Sequence, residues 1–204
     1  MELVTAPTVI GIDPGGTTGW SVMVVHPEAL VDRDVPVLGN IQYHGNGQIS
    51  AIPTNGTGKV AKALDLSAAE RLCIRALLAD VLVRWPGAAL IIEDFLLRKR
   101  TADRELLSPV RLTAVLEWSV EDLGLQMSLH RQQPSEAAAV ATDDRLKDWG
   151  LYKRAGGMGH ARDADRHSIT FLRKAKQRGS VRGAAWPHLY TPSGDLRPNV
   201  LAAV

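Results

Sequence analysis

The chain has 204 residues, 45% of them hydrophobic and 23% charged, enough apolar sequence for one globular unit with its own core. No apolar run approaches the roughly 20 residues that span a bilayer, and the opening MELVTAPTVI lacks the cationic region of a secretory signal. A membrane or exported protein is therefore not expected, and a cytoplasmic one is. The net charge of +2 is uneven: residues 1–144 carry −6 and residues 145–204 carry +8, an asymmetry that suggests an anionic partner such as nucleic acid.

In chain order, TVIGID (8–13) is a short β-branched run that predicts a buried strand ending at Asp13, and GWSVMVV (19–25) its antiparallel partner. Between them lies GIDPGGTTGW, which fits either a backbone cradle for phosphate or a turn holding a carboxylate for a metal ion. A third strand is expected near LGNIQYH, followed by a loop through Lys59. Ser67 and Glu70 have capping-box spacing ahead of a helix through Trp85, with Leu72, Ala76, Ala79 and Val83 along one face. Cys73, the lone cysteine, lies in this helix and reads as a buried core thiol. AALIIEDF (88–95) is a further buried strand. SPVRLTAVLEWSVEDLG (108–124) is a helix with Pro109 at its first turn and Gly124 as its stop. A strand over LQMSLHRQQP, short helices over SEAAAVA and DDRLKDWG, and a long helix from His160 to Arg178 complete a mixed α/β pattern. The five tryptophans read as core or interface residues.

Carboxylates recur where buried elements begin or end. Asp13 follows the first strand, Glu93 ends the fourth, and Asp163 opens the last helix. If strands one and four are parallel neighbours, Asp13 and Glu93 meet at one sheet edge, where their repulsion calls for a divalent cation. At about 100° per residue, Ala164, Ser168, Phe171 and Ala175 form the core stripe of the last helix. Asp163 and His167 then lie on one edge of it and Asp165 on the other.

Taken in order, GIDPGGTTGW, IIEDF and HARDA resemble the RuvC-type Holliday junction resolvases of the RNase H-like superfamily, in particular phage members, over residues 8 to 175. RQQPSEAAAVATDDRLKDWGLY is similar to the segment after the fifth strand in the phage members. The resemblance implies an RNase H-like mixed five-stranded sheet with helices on both faces over residues 1–178, followed by an irregular basic tail over 179–204. It implies a metal-dependent endonuclease that resolves branched DNA by paired nicks and leaves 5′-phosphates. Asp13, Glu93, His160 and Asp163 would be catalytic and hold two Mg²⁺ ions, about 4 Å apart in such sites, with Mn²⁺ able to substitute. Asp165 and Asp94 are the alternative ligands beside Asp163 and Glu93, and His167 a supporting or structural residue. The family acts as homodimers on four-way junctions. Arg98, Lys99, Arg100 and Arg104, then Lys147, Lys153 and Arg154, are the candidate DNA contacts, and Leu112, Leu116, Val120 and Leu123 the candidate dimer face.

Other classes stay open on the sequence alone. A sugar-kinase or actin-like ATPase also places Asp-Gly-Thr after its first strand, but it needs two such domains. An RNase H-like nuclease acting on RNA or hybrid strands, or a catalytically silent junction binder, would share the fold.

Overall fold

The computed structural model describes residues 5–50, 59–95, 107–152 and 155–201. Its centre is one five-stranded sheet of β1 (Thr8–Asp13), β2 (Thr17–Val25), β3 (Ile41–Ser50), β4 (Ala89–Glu93) and β5 (Ser128–Gln132), in the order β3-β2-β1-β4-β5. β1 pairs antiparallel with β2, which pairs antiparallel with β3, whereas β1, β4 and β5 run parallel. β1 and β4, buried on both faces, are continuous apolar runs, as central parallel strands require. β3 runs to Ser50 and takes in much of the stretch expected to be loop; its glycines and asparagine pair along the whole of β2.

Helices cover both faces of this sheet. The helices are α1 (Glu28–Val31), α2 (Lys59–Ala76), α3 (Ser108–Asp122), α4 (Pro134–Val140), α5 (Asp143–Asp148), α6 (Gly159–Gln177), α7 (Gly179–Ala185) and α8 (Pro198–Leu201). One core lies between the sheet and α2 with α3, joining Ile10, Ile12, Leu90 and Ile92 to Cys73, Leu77, Leu112 and Leu116. The other lies beneath α6 and joins Val9, Met23 and Ile91 to Ile169, Phe171, Leu172 and Trp186. Successive residues of β1 and β4 thus feed opposite cores, as the period of two dictates.

Three expectations are corrected. α2 begins at Lys59, so Ser67 lies inside the helix rather than capping it, and Glu70 instead pairs with Arg111 (Oε1 to Nη2, 2.5 Å). The helix then passes into a π-helical turn, Leu77–Val81, and a 3₁₀ turn, Leu82–Arg84. Its buried face is Cys73, Leu77 and Val81, while Leu72 and Val83 point to solvent. The expected dimer face on α3 is core: Leu112, Leu116 and Val120 are buried against the sheet, and of that set only Leu123 is exposed. The residues beyond 178 are not irregular throughout, since α7 and α8 form there and Trp186 and Tyr190 are fully buried. Trp186 Nε1 donates to the Thr8 carbonyl at 3.0 Å, and the Tyr190 hydroxyl donates to the Pro27 carbonyl at 3.0 Å.

α6 lies unusually close to the sheet because two strand residues lack side chains. A Cβ on Gly11 of β1 would overlap the Ala164 carbonyl and the Ser168 hydroxyl, and a Cβ on Gly19 of β2 would overlap the carbonyl of His160. Backbone stands in the way at both positions, so the helix itself would have to move. Gly19→Ala should therefore destabilise the fold by ~1–3 kcal/mol, the usual range for overpacking, read from urea unfolding. Gly157→Ala, where a Cβ meets nothing within 4 Å, is the control. Equal midpoints for the two variants would refute the close-approach account.

Candidate active site

The parallel pairing of β1 with β4 sets Ile12 opposite Ile92, and one step further both strands end, in Asp13 and Glu93. Both carboxylates therefore emerge at the same sheet edge on the face covered by α6. The turn after Asp13 is closed locally: the Thr18 hydroxyl donates to the Gly15 carbonyl at 3.1 Å and accepts from the Gly15 N–H at 3.3 Å. β2 then returns and brings Gly19 opposite Asp13.

Over Gly19 sits the first turn of α6. His160 Nδ1 lies 2.7 Å from Asp13 Oδ2, and Asp163, one turn on, faces the same point. Ligand atoms of Asp13, His160 and Asp163 all fall within 4.8 Å of one another. Asp13 is buried, and its pKa is raised above the ordinary aspartate value. Burial is the main cause, partly offset by the His160 hydrogen bond and reinforced by the charges of Glu93 and Asp163. His160 is raised in turn, chiefly by its hydrogen bond to Asp13. A buried carboxylate that resists ionisation beside two further acids and an imidazole is a donor set suited to a hard divalent cation.

The surrounding residues hold these groups in place. Glu93 Oε2 is 2.9 Å from Nε2 of the buried His167, whose Nδ1 is 3.1 Å from Gln132 Oε1 at the end of β5. Asp163 pairs with Arg166, which also pairs with Asp143 of α5 and donates to the Ala141 carbonyl at 2.9 Å. Asp165 faces elsewhere. It is 1% exposed and is held by Ser21 Oγ (2.7 Å), His44 Nε2 (2.8 Å) and Asn46 Nδ2 (2.8 Å) from β2 and β3. Asp94 accepts from Gln133 Nε2 at 2.6 Å and lies 3.7 Å from Arg131.

Thus Asp13, His160 and Asp163 come together with Glu93 beside them, while Asp165 and Asp94 are engaged by other partners. Of the candidate DNA contacts, Lys147 ion-pairs with Asp144 at 2.9 Å and lies over the Tyr152 ring. Arg98, Lys99, Arg100, Arg104, Lys153 and Arg154 fall outside the described residues. The sequence reading missed the Arg166 clamp and the partners of Asp165. Gln132, His44 and Asn46 are distant in sequence and carry no motif of their own.

No family model matches the chain, and no match is found among curated proteins. Solved structures do match. The RuvC of T. thermophilus in complex with a Holliday junction substrate is similar at a TM-score of 0.52 and 16% identity, over 83% of this chain and 96% of that one. A second structure of the Thermus thermophilus RuvC matches at a TM-score of 0.51 and 16% identity, over 88% of this chain and 98% of that one. The likeness establishes the fold as that of RuvC.

The coupling of His160 to Asp13 has a pH consequence. His160 titrates higher in the folded chain, so its stabilising contribution is complete below the unfolded histidine value of about 6.5 and is lost as pH rises through the raised value. Asp13 also holds its proton more tightly when folded, and its contribution likewise declines as pH rises, from a lower starting point. In EDTA the melting temperature should therefore fall between about pH 6.5 and the alkaline side of the His160 titration, and Asp13→Asn should flatten that fall. A wild-type profile that rises over this window would contradict the assignment.

Proposed function

We propose that this protein is a metal-dependent, structure-specific DNA endonuclease that resolves four-way junctions and other branched DNA by paired phosphodiester hydrolysis. The observation that carries the reading is the convergence of Asp13, His160 and Asp163 within 4.8 Å, with Glu93 at the end of the adjacent parallel strand. That donor set, in a fold shared with a resolvase solved on a Holliday junction substrate, supports hydrolysis of a phosphodiester over ATP chemistry or simple binding.

Asp13, Glu93, Asp163 and His160 would hold the ions, Mg²⁺ or in its place Mn²⁺. Two such ions at a phosphodiester activate water at neutral pH and stabilise the charge on the leaving oxygen. This chain's own residues do the rest. Asp13, central and buried, presents a carboxylate whose charge the site leaves poorly solvated, which favours capture of a cation. Glu93 reaches in from β4, and Asp163 from the first turn of α6. His160 Nδ1 faces Asp13, half-exposed, and can carry a proton between the site and solvent. Hydrolysis with the 3′ oxygen as leaving group gives nicks ending in 5′-phosphates.

The substrate is anionic, and basic groups close in sequence to the site residues fit it. Arg98, Lys99, Arg100 and Arg104 follow Glu93 in the chain, and Lys147, Lys153 and Arg154 precede α6. Phosphate contacts from such residues make affinity fall steeply with salt. Cutting both strands of a junction in concert calls for two sites, and we propose a homodimer. With the inward face of α3 consumed by the core, the surface for it is the outward stripe that exposes Val115 and Trp118, 44% and 64% accessible.

The reading is tested by cleavage of a synthetic four-way junction against linear duplex and RNA–DNA hybrid, in Mg²⁺ and in EDTA. The junction should be cut in Mg²⁺ alone, and Asp13→Asn should abolish cutting while leaving junction binding in place. A junction bound but intact in both Mg²⁺ and Mn²⁺ would mean a silent binder, and preference for the hybrid an RNase H-like enzyme. Asp163→Asn and Asp165→Asn separate the two aspartates of α6. The first should lose cleavage at unchanged stability. The second should cost stability, by about 1–3 kcal/mol for a disturbed buried polar group, and keep metal-dependent cutting. Loss of cleavage in Asp165→Asn alone would overturn the ligand assignment.

A further inference from the structure

We propose that His167 is a positioning residue that fixes the Glu93 carboxylate for cation binding by donating its Nε2–H, with Gln132 bracing the far side of the ring. The inference rests on the metal-dependent reading above and adds a residue to it. His167 lies on α6 one turn beyond Asp163, with its side chain 1% exposed, and it spans from Glu93 on β4 to Gln132 on β5.

A glutamate has three side-chain torsions and, at a strand end, little to restrain them. Each lost rotamer opposes cation binding entropically. Asp13 has one fewer torsion and a hydrogen bond from α6, and Asp163 is gripped by Arg166. Glu93 has His167. An ionised carboxylate only accepts, so the proton in the 2.9 Å contact belongs to Nε2. Gln132 suits a proton there in either of its amide orientations. Oε1 accepts from a protonated Nδ1, or the amide turned over donates Nε2–H to the Nδ1 lone pair. The turned amide also satisfies Gln132 Nε2, a buried donor with no partner among the described residues. Gln132 is itself 4% exposed and stands opposite Glu93 in the register of β4 with β5.

The arrangement has one free direction. One Glu93 oxygen is taken by His167, leaving the other for the cation beside Asp13. Partners of this kind, hydrogen-bonded to a ligand without touching the metal, typically cost 10–100-fold in metal affinity or activity when removed.

The test uses Mn²⁺ as the probe. Titration of the protein, read by electron paramagnetic resonance of free Mn²⁺, should show binding weakened by roughly 10–100-fold in His167→Leu. In His167→Gln, which keeps an N–H near the Nε2 position, most of the affinity should return. Junction affinity in EDTA should be unchanged in both variants, so that the loss falls on kcat and not on substrate binding. Gln132→Leu, which removes only the brace, should lose several-fold. Wild-type Mn²⁺ affinity in folded His167→Leu, or in both His167→Gln and Gln132→Leu should the leucine variant fail to fold, overturns the proposal. A second arm needs no metal and no variant: long-range ¹⁵N–¹H correlation of the wild-type imidazoles in EDTA should find the His167 proton on Nε2, and a ring protonated on Nδ1 alone refutes the hydrogen bond. If the wild-type protein takes up no Mn²⁺ at all, the metal reading has failed, and the imidazole spectrum still decides whether His167 holds Glu93.

Discussion

The close seating of α6 on the sheet is the constraint on which the site depends. A helix resting on ordinary strand side chains is held off the sheet by them, and its first turn would then stand further from the strand ends. At Gly11 and Gly19 the sheet offers bare backbone, and the helix backbone comes down onto it at Ala164 and His160. Only in that position can Nδ1 of His160 approach Asp13 to 2.7 Å. The glycines of GIDPGGTTGW therefore have divided duties. Gly15 belongs to the tight turn closed by Thr18, while Gly11 and Gly19 make room for a helix from the far end of the chain.

A second tie keeps that helix from sliding. Asp165 points down from α6 into β2 and β3, and its two oxygens accept from Ser21, His44 and Asn46. Burying a carboxylate is costly unless its lone pairs are filled, so this network is satisfied in only one register of helix against sheet. Rotating α6 by one residue would break all three contacts at once. Two aspartates two positions apart thus point to opposite edges of one helix. Asp163 faces Asp13 and His160, and Asp165 anchors the register that puts it there.

How much of this could be read in the sequence follows from how local each signal was. β1, β4 and the start of α6 were legible because apolar runs, a terminal carboxylate and helical spacing are contained in a few consecutive residues. The rotation of α6 was legible for the same reason, and Asp163 and Asp165 separate as the 3.6-residue period demands. The face of α2 was misjudged because apolar residues at helical spacing lie on two adjacent stripes, and the sheet covers the one with Cys73, Leu77 and Val81 while Leu72 and Val83 stay exposed. The face of α3 was identified correctly as apolar and assigned to the wrong neighbour, since a hydrophobic stripe does not say whether its partner is a sheet or another copy of the chain. Gln132, His44, Asn46 and Arg166 reach their partners across the fold, and nothing near them in sequence announces it.

The C-terminal segment has a consequence for how the protein comes into being. Thr8, at the start of β1, accepts from Trp186, and Asp13, at its end, bonds to His160. The first strand is thus closed at both ends by residues 178 and 147 positions further along the chain. Contacts this far apart in sequence are slow to form, because the chain must surrender loop entropy before it gains anything from them. While synthesis is under way the strands can pair, yet the carboxylates remain scattered. Asp13, His160 and Asp163 therefore share no common centre until α6 has docked, and the strands that precede it in the chain carry only part of the site.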